Sequence, residues 1–318
     1  MQSKVWDASI FPGSASFVRF RRKLDQAAAL AASAFLILTW NGPVIEQAPA
    51  GQTGAGAVQE TMGPGAASAL PGRETLIAAY SGAPYTYSSD VTVKKEGTHD
   101  FTMKDVQWIG EPFKSPIYYG VRVARWFEGG RTGAMIDFTH SKATAERELE
   151  ADFTGTLNGK PAPARTKISD VFEKLEATHG HNMLTFNGLL RLPSIRAWLS
   201  PYVGIGAGVS LPHSEVHMKG EQVRTYEYQF AGPVLQGLFG LEFRAAQASY
   251  FIEYKFTYAP YEMPLSQQNG YLLWTDLWRQ FSNWMKGGEP PGGRLTTTFA
   301  SHQLIGGLGI RVVPAAAQ

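Results

Sequence analysis

The sequence predicts an all-β fold, an eight-stranded antiparallel up-and-down transmembrane β-barrel with long extracellular loops, and three observations carry that prediction. Apolar and polar residues alternate with a period of two in repeated segments after residue 73. The connections between those segments are by turns short and long. The composition is rich in turn and strand formers, with 34 Gly, 19 Pro, 18 Phe and 13 Tyr, and only 18% of residues are charged.

The chain divides into three parts. Residues 1–50 read as a signal peptide: Arg19, Arg21, Arg22 and Lys23 precede an apolar run from Ala27 to Trp40, and Ala48-Pro49-Ala50 supplies a small-x-small cleavage signal. That run of 14 residues is too short to cross a bilayer as a helix, which needs about 20. Residues 51–73 hold Gly, Ala, Pro, Gln and Ser with few bulky side chains, and read as a disordered periplasmic leader. Residues 74–318 form the barrel domain.

Within that domain, strands are expected near 74–83, 117–127, 131–142, 181–192, 201–211, 228–244, 250–258 and 302–313. In the third, Ala134, Ile136 and Phe138 alternate with Asp137, Thr139 and Ser141; in the seventh, Tyr250, Ile252, Tyr254, Phe256 and Tyr258 alternate with Glu253, Lys255 and Thr257. Each strand has about 10 residues, the length a tilted strand needs to span the membrane. Short links fall at Glu128–Gly130, Pro193–Arg196 and Ala245–Gln247, whereas the links near 84–116, 143–180, 212–227 and 259–296 are long. No stretch after residue 73 shows a long helical period.

A lipocalin-like barrel would point its apolar residues inward. Here the polar face carries Arg122, Asp137, Arg191, Glu242, Arg244, Glu253, Lys255 and Arg311. Turning that face inward fills the lumen with five bases and three acids, which must pair with one another and leave excess charge to be met by further acids, backbone or water. The apolar face then meets lipid, with Tyr118, Tyr119, Trp126, Phe127, Trp198, Tyr258 and Tyr261 as candidates for its aromatic girdles.

Several classes of function are excluded or unsupported. Without cysteine there is no dithiol, iron–sulfur or thiolate chemistry. After Ala50 the chain holds 24 bases and 24 acids, so it has no electrostatic footprint for nucleic acid. Phosphate loops, nucleophile elbows and paired-histidine metal helices are missing.

The histidines stand out instead. His140 closes the third strand and His179-Gly180-His181-Asn182 opens the fourth, so antiparallel pairing brings both to one rim. Imidazoles with Asp137, Asn182 and Lys142 nearby suit divalent-metal binding or proton transfer, or equally the capping of wet strand ends. His213-x-Glu215-x-His217 would put three side chains on one face of a strand, but Pro212 favours a loop. Glu146–Glu150 and Glu221–Glu227 read as solvated loop charge.

The runs Phe113–Arg122, Asp137-Phe138-Thr139-His140-Ser141-Lys142, Gly180–Asn187 and Ser200-Pro201-Tyr202-Val203-Gly204 resemble the lipid A oxidases of rhizobia and related α-proteobacteria. The resemblance covers most of residues 74–313 and implies a monomeric outer-membrane enzyme acting on lipid A within lipopolysaccharide. Its implied reaction is oxidation of the proximal glucosamine to 2-aminogluconate by molecular oxygen, with release of hydrogen peroxide and stimulation by a divalent metal ion. In such an enzyme His140, His181 and Asp137 are the catalytic candidates, His140, His181 and His179 the metal ligands, and Lys142 and Asn182 the substrate contacts. Two other functions are open: a non-enzymatic barrel with surface-exposed binding loops, suggested by Trp274, Trp278 and Trp284, and a Ser–His lipid A deacylase, for which Ser301-His302 is the only pair adjacent in that order.

Overall fold

The computed structural model describes residues 72–313. The signal peptide and most of the leader therefore lie outside the described residues. In chain order the elements are β1 (Glu74–Thr86), β2 (Ser89–Lys95), β3 (His99–Val106), β4 (Trp108–Ile109), β5 (Tyr119–Trp126), β6 (Thr132–Ala145), β7 (Glu150–Leu157), β8 (Lys160–Pro161), β9 (Arg165–Lys167), β10 (Phe172–Arg191), β11 (Leu199–Ser210), β12 (His213–Met218), β13 (Thr225–Tyr228), β14 (Gly232–Ala245), β15 (Ala248–Pro264), the helix α1 (Leu273–Met285) and β16 (Arg294–Val312).

Eight of these strands close on themselves. The order is β1–β5–β6–β10–β11–β14–β15–β16, every pair is antiparallel, and β16 returns to β1 over Thr75↔Val312 to Thr86↔Ser301. Closure leaves the ring no free edge. Short connections join β5 to β6, β10 to β11 and β14 to β15, the last needing only Ala246 and Gln247. The opposite end carries everything else.

The two faces of the ring are chemically distinct. Outward, Ile77, Val121, Val123, Ile136, Phe186, Ile205, Leu235, Ile252 and Ile310 are all exposed, a continuous apolar belt that water alone would not support. Inward, the polar residues named from alternation are enclosed. This combination of closed ring, apolar belt and filled polar interior is the architecture of an outer-membrane β-barrel. Ile310 is 63% exposed, so Ile310→Ala should cost under about 1 kcal/mol in a chemical unfolding titration.

The lumen holds two layers of ion pairs. In one, Arg122 contacts Glu253 through two N–H groups at 2.8 and 2.9 Å and Asp137 at 3.3 Å, while Lys255 Nζ lies 2.6 Å from Asp137. Tyr80 and Gln236 also donate to Asp137, and Tyr202 donates to Glu253 at 2.7 Å. The layer toward the short turns joins Arg191, Arg244 and Arg311 to Glu242 and Glu74. Glu74 is a further acid that meets part of the excess, bringing the count to five bases against four acids. The tyrosine rings reach the centre because Gly120 and Gly240 have no side chain: a Cβ there would stand 1.9 Å from the Tyr80 ring and 2.3 Å from that of Tyr202.

Three girdle candidates belong inside. Tyr118 is buried and donates to Gln303, Trp126 is buried with the Arg191 guanidinium 3.9 Å from its ring centroid, and Tyr261 is buried against His181 and Phe299. A girdle does exist, made of Tyr119, Tyr254, Tyr258 and Tyr87 at one end and Phe127 and Trp198 at the other. Tyr87 and Tyr254 both hydrogen-bond His302.

The long connections are not loops but an extension of the barrel wall. β10, β15 and β16 run well beyond the expected strand ends; β2 pairs with β16, β3 with β2, β7 with β3, and β12 with the start of β10. Val93, Phe101, Met103, Phe172, Leu295 and Phe299 are among the residues of a dry core enclosed by this extension. Period-two alternation in Asp90–Met103 encodes it, with Val91, Val93, Phe101 and Met103 all buried. Two other expectations are corrected here. A 13-residue helix, α1, occupies the fourth connection, and β12 makes His213–Met218 a strand despite Pro212.

Candidate functional site at the extended rim

Pairing at the rim follows from register. His140 lies opposite both Tyr119 on β5 and Asn182 on β10, and His181 lies opposite Ser141. Side chains alternate across a sheet, so His140, Lys142 and Asn182 share the outward face with Ile136 and Phe138, whereas His181 shares the inward face with Asp137, Thr139 and Met183. The wall of the barrel thus separates the two imidazoles that the sequence places together at one rim.

On the outward face, His140 stacks on Tyr119 with ring centroids 4.8 Å apart, and its Nδ1 lies 2.8 Å from Asn182 Oδ1. An amide oxygen only accepts, so this contact makes Nδ1 the protonated nitrogen and leaves Nε2 with its lone pair. Nε2 is buried without a hydrogen-bond partner. Asn182 Nδ2 donates to the Leu211 carbonyl at 3.2 Å, which fixes the amide. Lys142 donates to the carbonyls of Lys114 at 2.7 Å and Ser115 at 3.1 Å, a strap of chain lying over the outer side of β6.

The bulge in β10 brings in the rest. Residues 178–180 stand against Lys142 alone between the Ala177↔Ala143 and His181↔Ser141 pairs, two residues more than a regular ladder needs, with Gly180 at φ +143, a conformation suited to glycine. His179 is carried outward beside His213 and Tyr226, at centroid distances of 5.4 and 5.2 Å, and is close enough to bear electrostatically on His140. His213 packs against Tyr226 and Tyr228 at 4.4 and 4.5 Å, and its Nε2 lies 3.0 Å from the Gly270 carbonyl. Its Nδ1 is buried and unpartnered. Burial pushes the His213 pKa below the usual histidine value, with the Gly270 contact and Asp276 opposing the shift and His179 reinforcing it.

The inward residues do different work. His181 is fully enclosed, hydrogen-bonded through Nδ1 to Tyr261 and packed 5.0 Å from the Phe299 ring. The Asp137 carboxylate is committed to Arg122, Lys255, Tyr80 and Gln236, so it orients neither imidazole. The His213-x-Glu215-x-His217 residues diverge to Gly270, Arg224 and Glu173 respectively. Glu227, expected in solvent, is buried and paired with Arg279. Among the described residues, no three or more His, Asp or Glu side chains come together to hold a metal ion.

Of the residues singled out from the sequence, His140, Asn182, Lys142 and His179 lie on the outward side, where His213 joins them, and His181 and Asp137 lie on the inward side. Tyr119, Tyr226 and Tyr228 it missed as site neighbours. Tyr119 was nevertheless findable, since the turn between β5 and β6 fixes the register that pairs it with His140.

No family model and no curated protein matches the sequence. Among the described residues, no helix is long and apolar enough to cross a membrane. Solved structures are similar to the chain, two of them outer-membrane proteins. The outer membrane protein OprG from Pseudomonas aeruginosa aligns over 78% of this chain and 99% of its own, at 10% identity and a TM-score of 0.37. Neisserial surface protein A (NspA) aligns over 76% and 97%, at 8% identity and a TM-score of 0.32.

Proposed function

We propose that this protein sits in the outer membrane with its extended end outside the cell, and oxidises the reducing-end glucosamine of lipid A at the outward rim cluster. One observation supports this reading above others. Just above the apolar belt, facing lipid rather than lumen, stands a polar cluster with two imidazole nitrogens, His140 Nε2 and His213 Nδ1, that are buried and unpartnered. A lipid headgroup approaching within the outer leaflet would meet this face first, whereas the lumen is closed by its own ion pairs.

Oxidation at C1 requires a free anomeric hydroxyl, loss of its proton and loss of the C1 hydrogen with two electrons. His140 has the arrangement for the first proton, its Nδ1–H held by Asn182 and its buried Nε2 lone pair without a partner. Lys142 has one N–H beyond those given to the Lys114 and Ser115 carbonyls, suited to a sugar oxygen or a phosphate. Molecular oxygen takes the two electrons and two protons to become hydrogen peroxide, and the lactone left behind adds water to give 2-aminogluconate. Among the described residues no three-donor site is found for the divalent ion that the family resemblance implies, and the residues named above hold the sugar and take its hydroxyl proton.

The competing reading is a non-enzymatic barrel that binds partners through its surface, for which the exposed aromatic residues of α1 speak. Mass spectrometry of lipid A from cells with and without the protein separates the two. The enzyme reading expects a species one oxygen atom heavier that appears only with the protein; the same lipid A profile in both strains would favour the binding barrel.

A further inference from the structure

The helix α1 is amphipathic in the reverse of the usual sense. Its polar residues face the protein: Asp276 is buried and accepts the Tyr228 backbone N–H at 3.2 Å, Arg279 pairs with Asp276 and Glu227, and Gln280 exchanges two hydrogen bonds with the backbone of Phe230, at 2.7 and 2.9 Å. These positions, i, i+3 and i+4, form one stripe. Trp274, Trp278, Phe281, Trp284 and Met285 lie on the other side and face away from the protein, Trp274 at 80% exposure and Trp278 at 69%. A helix in water buries its apolar stripe and solvates its polar one. This one is held on the barrel by its polar side chains and offers its aromatic side to something else.

We infer that α1 is an interfacial helix, and that its Trp-rich face is immersed in the outer leaflet of the membrane in which the barrel sits. Continuity identifies the occupant. Gln280 clamps α1 to Phe230, itself exposed, two residues before β14 begins, and β14 then descends into the belt through Leu235 and Phe239. The aromatic face thus prolongs the girdle of Tyr258, Tyr254 and Tyr119 at headgroup height. Tryptophan favours that zone because its ring is apolar and its N–H remains free to bond to headgroup oxygen. Interfacial helices commonly carry Lys and Arg on the polar face to meet anionic lipid, but α1 has only Arg279 there, spent on Glu227 and Asp276. Attachment to the barrel wall takes the place of that attraction. α1 also flanks the rim cluster, since Tyr228 and Gly270 link it to His213, so it would hold the leaflet against the face that carries His140. This inference rests on the barrel spanning the membrane and not on any oxidase activity.

The chain has no cysteine, so a single introduced thiol reports from one place. Trp278→Cys and Thr275→Cys, each carrying a nitroxide, are folded into phosphatidylcholine vesicles, with Ile252→Cys in the belt as the control for insertion. Collisions with dissolved oxygen and with a water-soluble nickel chelate are compared. The expected result is an oxygen-to-nickel ratio several-fold higher at 278 than at 275, on the side of the 252 label. Equal, water-like ratios at 278 and 275 with a lipid-like ratio at 252 would overturn the inference while leaving the barrel intact. A lipid-like ratio at 278 that appears only at high protein density would assign the face to a second copy instead, and would overturn it too. A water-like ratio at 252 would remove the barrel in the membrane itself, and the inference with it.

Discussion

Asp137→Ala is expected to destabilise the barrel by about 3–5 kcal/mol. Asp137 is fully buried and is the shared partner of Arg122 and Lys255, so its loss leaves Lys255, also fully buried, with only the hydroxyls of Tyr80 and Thr139. Arg122 would retain Glu253, which makes the lysine the larger part of the penalty. The measurement is a urea titration of the folded barrel in lipid, followed by tryptophan emission. Replacing both members, Asp137→Leu with Lys255→Met, should recover much of the loss, because an apolar pair of similar volume leaves no stranded charge. If Asp137→Ala cost no more than Ile310→Ala on the outer face, the assignment of faces would be wrong.

The second large effect is on chemistry. His140→Ala is expected to lower lipid A oxidation by about 10²–10⁴-fold, the range for loss of a general base, while the barrel still assembles. The imidazole stands on the outward face above the belt, and its removal unpairs only Asn182 Oδ1 and the Tyr119 stack. Asn182→Ala should give a smaller loss, since His140 would stay but its ring would be free to turn. His181→Ala is expected to behave differently: it opens a hole in the dry core beside Phe299 and leaves the Tyr261 hydroxyl unbonded, so stability should fall before activity. Normal oxidation by the His140 variant would move the site away from this face, whereas equal activity losses at His140 and His181 with unchanged stability would restore the pairing of the two histidines.

These contrasts show which parts of the molecule a linear reading reaches. Closure of the ring was legible because strand length, alternation and the spacing of short turns are local properties, and Ala245–Gln247 needs no tertiary knowledge to be read as a turn. The lumen followed from alternation alone, and the charge count implied excess positive charge, part of which Glu74 meets from the first residue of β1. The helix is encoded in the 3–4-residue spacing of Leu273, Trp274, Leu277, Trp278, Phe281, Trp284 and Met285, a single short helical period in a chain dominated by period two. The extension was harder. β2, β3 and β7 pair with segments far away in sequence, and only tertiary contact turns such connections from loops into strands. The site was half legible. Sequence proximity put His140 and His181 at one rim, yet a one-residue difference in register places them on opposite faces of the wall.

All of this depends on a closed, lipid-embedded barrel, and its most direct test is gel mobility of the outer-membrane fraction with and without boiling. A sealed ring with a paired lumen and no free edge should resist dodecyl sulfate at room temperature, so the unheated protein is expected to run as a compact species ahead of the boiled one, and to be recovered with outer membranes. A single mobility before and after boiling, together with recovery in the soluble fraction, would contradict the account.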